Sequence, residues 1–196
     1  MKMSNLNKKE KLAIFDMDGT LFDTKNVNYT AYSRALEECG YKLEMDYKFY
    51  CDFCNGNHYK TFLPQIVSGI TEEEIKRVHD IKQDIYSEYI ELAVKNEHLF
   101  SMIDLIRKEY LIALVTTASR QNVDDILKAF DVVDVFDLIL TQEDVNKAKP
   151  DPEGFLLAME KSGVSKEDTL IFEDSATGIE AAERSGAKYV KVYGYN

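Results

Sequence analysis

The chain has 196 residues, 45% of them hydrophobic, and a formal charge of −11, so it can bury a real core and holds one domain with a sizeable insertion or a second small domain. The acidic balance, with no basic block beyond "KKEK" near the start, argues against nucleic acid or an anionic membrane surface as partner. No apolar run approaches the ~18 residues of a membrane span, and "MKMSNLNKKEK" lacks the apolar centre of a signal peptide, so a soluble, cytoplasmic protein is expected.

From Lys11 onward, short apolar runs alternate with helical patterns. "LAIF" predicts a first strand, and the acids of "FDMDGT" follow it directly. Asn26 to Cys39 reads as a helix. Thr71 to Asn96 reads as one long or broken helix, with Ile75, Val78, Ile81, Ile85, Tyr89 and Leu92 at three- and four-residue steps. These helices fall in about seventy residues without a convincing buried strand, far more than a crossover needs, which predicts a helical insertion.

Beyond it the alternation resumes. A helix over Ser101 to Glu109 precedes a strand at "LIALV" (111 to 115), and a helix over Gln121 to Phe130 precedes one at "FDLIL" (136 to 140). Helices over Pro152 to Ser162 and Ala176 to Ser185 end before Gly163 and Gly186, which suit C-terminal caps, and flank "TLIF" (169 to 172) and "YVKV" (189 to 192). Runs without clean polar alternation suit strands covered on both faces, the pattern of a parallel sheet with crossover helices. Pro64, Pro150 and Pro152 are expected at helix edges or turns.

The cysteines, Cys39, Cys51 and Cys54, are odd in number and suit a reducing compartment. Cys51, Cys54 and His58 have spacings that could ligate zinc with Cys39 as the fourth ligand. No second paired motif follows, and the flanking Tyr47, Phe49, Tyr50, Phe53 and Tyr59 favour packing, so buried thiols are expected.

In an open parallel sheet, ligands bind outside the carboxyl ends of the strands. The residues gathered there are Asp16 and Asp18 after the first strand, Thr116 and Thr117 after "LIALV", Glu173 and Asp174 after "TLIF", and Lys149 ahead of a proline. Carboxylates crowded together raise one another's pKa unless a cation sits among them. A hard, oxygen-loving ion such as magnesium fits, since no soft ligand is at hand. The hydroxyls and the lysine suit phosphate oxygens, and an aspartate can attack phosphorus.

Together "FDMDGT", "ALVTT", "AKPDPEGF" and "IFEDSATGI" resemble the haloacid dehalogenase superfamily, in its order, from Lys11 to near the end. The resemblance is strongest to the branch with a helical cap inserted after the first motif, which includes phosphoglycolate phosphatase-like and β-phosphoglucomutase-like proteins. It implies an α/β fold with a Rossmann-like parallel-sheet core, residues 1–22 and 96–196, and an inserted α-helical cap, residues 23–95. It further implies that Asp16 is the nucleophile and Asp18 the general acid and base, that Thr116 and Lys149 hold phosphate with Thr117 beside them, and that Asp16, Asp18 through its carbonyl, Asp174 and Glu173 are candidate ligands of Mg2+. Gly56 resembles a recurring cap glycine, which would turn Asn57, His58 and Lys60 toward the site. Asp23 and Thr24 read as a helix cap and nothing more.

Two features depart from the resemblance. "HLFSMI" stands where relatives often have a Pro-Gly turn, and the short segment after the last strand could leave a sheet edge open or covered by a partner. The expectation is a magnesium-dependent phosphatase of a small phosphorylated metabolite, monomeric or weakly homo-oligomeric. A phosphomutase and a non-enzymatic regulatory protein on the same scaffold are the rivals. β-Phosphoglucomutases carry a histidine on the first cap helix where "DTKNVNYTAY" has Asn28, so hydrolysis is expected over mutation.

Overall fold

Five of the apolar runs join into one sheet in the computed structural model, which describes residues 9–42, 46–55 and 58–194. In chain order, β1 (Lys11–Phe15) and a two-residue β2 (Phe22–Asp23) precede the helices α1 (Lys25–Glu38), α2 (Tyr47–Phe49), α3 (Tyr59–Ile66) and α4 (Glu72–Ile85). The chain returns through β3 (Val94–Lys95) to α5 (Glu97–Ile106), β4 (Tyr110–Val115), α6 (Arg120–Ala129) and β5 (Leu138–Leu140). Then come α7 (Glu153–Ser162), β6 (Thr169–Glu173), α8 (Ala176–Ser185) and β7 (Lys188–Lys191).

The sheet order is β5-β4-β1-β6-β7 and every neighbouring pair is parallel. β1 lies at the centre, with Ala13 opposite both Ile112 and Leu170, and Leu12 to Phe15 are wholly buried. That is why its sequence is continuously apolar: side chains pointing to either face meet a helical layer. Ala13, Phe15 and Leu114 pack with Phe100 of α5 and Val123 and Ile126 of α6. Leu12, Ile14 and Ile171 pack with Phe155 and Ala158 of α7 and Ala181 of α8. This is the expected α/β, Rossmann-like parallel sheet, and β7, at its edge, is exposed along its length.

The inserted helices have a core of their own, in which Tyr32 and Leu36 of α1 meet Phe62 and Leu63 of α3 and Ile75 and Val78 of α4. A capping box between Thr71 and Glu74 starts α4. The entry and exit of the insertion are tied by the antiparallel β2–β3 pair, with Phe22 opposite Lys95. Beside it the Asn96 backbone N–H donates to Leu21 O at 2.9 Å and Asn96 Nδ2 to Thr20 O at 3.1 Å.

Several local expectations need correction. The expected long or broken helix takes the broken form, α4 ending at Ile85 and a 3₁₀ helix following over Tyr86–Leu92, but its buried face differs from the one expected. Its buried seam is Ile75, Val78, Lys82 and Tyr86; Ile81 and Ile85 are half-buried and Leu92 is exposed. Pro64 lies inside α3 instead of at an edge, in a helix of only eight residues. Thr24 occupies the N-cap position of α1, but its side chain makes no capping bond there. Cys54 is buried, Cys39 and Cys51 are half-buried, and all three are free thiols. Gly56 and Asn57 lie outside the described residues.

Candidate active site

Asp16 continues the ladder beyond β1, its N–H donating to Phe172 O at 3.0 Å. In the turn that follows β1, Met17 points into the core, fully buried, while Asp16 and Asp18 both border the cleft above it. The chain then doubles back at Gly19, where φ is +90° and a Cβ would collide with Asp174 Oδ2, so two independent constraints favour glycine. Gly19 N bonds Phe22 O at 2.7 Å, and the Leu21 and Phe22 amides share Met17 O at 3.0 Å each.

Lys149 reaches this strand end from the loop ahead of α7. Its Nζ lies 2.5 Å from Asp16 Oδ1, 2.7 Å from Glu173 Oε1 and 3.3 Å from Val115 O. Burial alone would depress this ammonium, but Asp16 and Glu173 on either side overcome it and raise it above the ordinary lysine range. Glu173, 1% exposed, turns its other oxygen to the Ser175 N–H (2.8 Å) and hydroxyl (3.0 Å). Ser175 in turn caps α8 by accepting from Gly178 N at 3.0 Å. Gly178 leaves room for Glu173; a Cβ there would overlap its carboxylate.

Asp174 accepts from the Thr20 hydroxyl at 3.0 Å. Burial, then the Glu173 charge, raise its carboxyl to about 6. Burial also pushes Asp16 up, against the pull of Lys149 and with the push of Glu173. Oxygens of Asp16, Glu173 and Asp174 all lie within 4.8 Å of one another. One ammonium cannot balance three carboxylates, two of them buried and the third half-buried. The donor set is all hard oxygen, so among the described residues this cluster fits a small divalent cation such as magnesium.

Above the cluster is a cavity of about 360 Å³, bordered by Asp16, Asp18, Thr117, Lys149 and Glu173 from the sheet side and by residues of the inserted helices. Thr116 does not border it. Buried at the end of β4, it lines a small cleft behind Lys149, and its hydroxyl accepts from Ala118 N at 3.1 Å. Thr24 is buried and donates its hydroxyl proton to Asp18 Oδ1. Asn28 Nδ2 then holds Thr24 through its carbonyl and hydroxyl oxygens, 3.2 Å each. Thr24 therefore does more than mark a helix start, and Asn28 lines the cavity as part of the Asp18 support. Burial raises the Asp18 carboxyl, with Thr24, then Lys82 and Lys149, opposing.

Sequence reasoning missed Lys82. It is 3% exposed, borders the cavity from α4, and lies 4.3 Å over the Tyr86 ring and 5.3 Å over the Tyr32 ring. Burial lowers its ammonium to about 8, with Asp18 opposing. The signal was there: a lysine on the 75, 78, 82, 86 seam of an amphipathic helix has no structural reason to be buried. Of the other cap residues named from the sequence, His58 borders the cavity, and Lys60 is exposed and does not.

The family model for haloacid dehalogenase-like hydrolases matches residues 13–192. The chain is 30% identical over 189 residues, 92% of this chain and 83% of the relative, to the phosphorylated carbohydrates phosphatase of Thermotoga maritima. It is 27% identical to the pyrophosphatase PpaX of Bacillus velezensis, over 93% of this chain and 82% of that one. The crystal structure of CbbY from Rhodobacter sphaeroides in complex with phosphate shares the fold with a TM-score of 0.83 at 22% identity, covering 94% of this chain and 87% of that one. Among the described residues, no helix is long and apolar enough to cross a membrane.

Proposed function

The chain belongs to the haloacid dehalogenase-like hydrolase family, and from that premise we propose that it is a magnesium-dependent phosphatase of a small phosphorylated metabolite, a sugar phosphate or a phosphoglycolate-like compound. The observation that carries the reading is Lys149 held between Asp16 and Glu173, with Asp174 beside them, on the floor of the cavity. The name of the Thermotoga relative supports a sugar phosphate.

Asp16 attacks phosphorus as the bond from phosphorus to the leaving oxygen breaks, and Asp18 gives that oxygen its proton. Asp18 then takes a proton from water as the water oxygen attacks the aspartyl-phosphate, and the bond to Asp16 breaks to release phosphate. Lys149 and the hydroxyl of Thr117 hold phosphoryl oxygens from the cavity wall, Thr116 stands behind Lys149, and Glu173 keeps Lys149 in place. Thr24 and Asn28 orient Asp18. Magnesium, when bound by Asp16, the Asp18 carbonyl and Asp174, neutralises the crowded negative charge of carboxylates and phosphoryl group. Residues 23–95 act as a cap over the leaving group, with the β2–β3 pair at its base. The free thiols suit a reducing cytoplasm, and the enzyme works there as a monomer or weak homo-oligomer.

The test is phosphate release from p-nitrophenyl phosphate with magnesium. A chelator stops it, magnesium restores it, and calcium does so poorly because its larger, looser shell misplaces the phosphate. Equal rates with both ions contradict the metal assignment, and no release at all favours a regulatory protein. With β-glucose 1-phosphate and a trace of the bisphosphate, inorganic phosphate forms faster than glucose 6-phosphate. The reverse order makes the protein a mutase.

A further inference from the structure

The cavity borders polar groups that this chemistry does not use. Asn122, on α6, is only 7% exposed, and its Oδ1 is buried without a hydrogen-bond partner among the described residues. The residue nevertheless lines the cavity. A buried carbonyl left unpaired carries its full desolvation penalty, and where it borders a ligand site the natural remedy is a ligand that donates to it.

His79 borders the same cavity from α4. The hydroxyl of buried Tyr32 lies 3.2 Å from its Nδ1, which is the partner the structure gives that phenol. A phenol proton directed there makes Nδ1 the acceptor and puts the imidazole proton on Nε2. The ring is also fixed in orientation, since it stacks on Tyr59 with centroids 3.7 Å apart and planes 4° off parallel. His58 stacks on Tyr59 as well, at 4.4 Å, and its Nδ1 accepts from Lys60 N at 3.3 Å, which selects the same tautomer. Burial, then the charge of Lys82, hold His79 down at about 4, with Asp80 opposing and His58 and Lys76 adding to the depression. It is a neutral donor at neutral pH.

We propose that Asn122 from the core and His79 from the cap form the leaving-group subsite, Asn122 accepting a hydrogen bond from, and His79 donating one to, the hydroxyls of an uncharged, polyhydroxylated leaving group. This rests on the phosphatase reading above and adds the residues that select the substrate. A hydroxyl gives and takes, matching one acceptor and one neutral donor. A carboxylate or a second phosphate can only accept, so it leaves the Asn122 carbonyl unpaired, and a neutral imidazole offers it no charge. Lys82 is the cap cation a second anion would seek, so the rival is an anionic leaving group held there.

The test compares kcat/KM for glucose 6-phosphate, 2-phosphoglycolate and p-nitrophenyl phosphate in the parent, Asn122→Leu and His79→Phe. The parent prefers glucose 6-phosphate to 2-phosphoglycolate. Each variant lowers the ratio of glucose 6-phosphate to p-nitrophenyl phosphate by about tenfold, mainly through KM, as expected for one lost hydrogen bond to a substrate hydroxyl. Because Asn122→Leu removes an unpaired buried carbonyl, its melting temperature without substrate does not fall; His79→Phe keeps the stack on Tyr59 and reads the subsite independently. Ratios within twofold of the parent in both variants, or a parent that prefers 2-phosphoglycolate, overturn the subsite while leaving the phosphatase standing. A parent that hydrolyses none of the three overturns the phosphatase reading itself and the subsite with it.

Discussion

Asp16→Asn reduces turnover below about one per cent of the parent while the protein stays folded, because the amide cannot attack phosphorus. It also removes one of the three carboxylates whose oxygens lie within 4.8 Å of one another, weakening the hold on the cation. The fold survives for a reason visible in the same cluster. Burial and Glu173 push the Asp16 carboxyl up, so its charge is borne at a cost, and its removal leaves Lys149 paired to Glu173 at 2.7 Å. Phosphate release and thermal unfolding measured on one preparation check both halves. Activity above about one per cent, with no reversion of the amide to the acid, removes Asp16 from the nucleophile's role.

Asp18→Asn slows turnover by ~10²- to 10⁴-fold, the usual worth of a positioned general acid or base. The amide still accepts the Thr24 hydroxyl, so the loop should keep its shape. The deficit depends on the leaving group. An alkyl phosphate needs its leaving oxygen protonated, whereas p-nitrophenolate leaves readily unprotonated, so the variant retains more of the first half-reaction with the aryl ester. The second half still lacks its base, and p-nitrophenol therefore appears in a burst followed by a slow steady state. A rate close to the parent's with an alkyl phosphate contradicts the acid role of Asp18.

What the sequence made legible was whatever has a local cause. Asp16 and Asp18 follow "LAIF" directly, so placing that strand places both carboxylates at the cleft beyond its carboxyl end. α7 and α8 end at Ser162 and Ser185, ahead of the two expected glycines. The missed features are non-local. Lys149 is the exception, since it meets Asp16 across 133 positions yet the parallel-sheet reading gathers both at the strand ends. Thr24 read as a helix cap because that is the usual use of threonine there, yet its hydroxyl goes to Asp18, a partner with stronger acceptor character than a backbone group. The seam of α4 was misread because Ile81 and Ile85 look like core residues, whereas Lys82 and Tyr86 take the buried side and face the cavity. Asn122 and His79 come from helices on either side of the cavity, and no spacing in the chain links them.

The claim at the centre of this account is that phosphate passes through Asp16 by two successive displacements. The measurement that tests it most directly is the stereochemical course at phosphorus, followed with a phosphate ester made chiral by oxygen isotopes and sulfur and transferred to isotopic water. Each in-line displacement inverts the centre, so two of them give net retention, the result predicted here. Net inversion would show a single attack by water and contradict the aspartyl-phosphate, whatever the activity of the Asp16 variant.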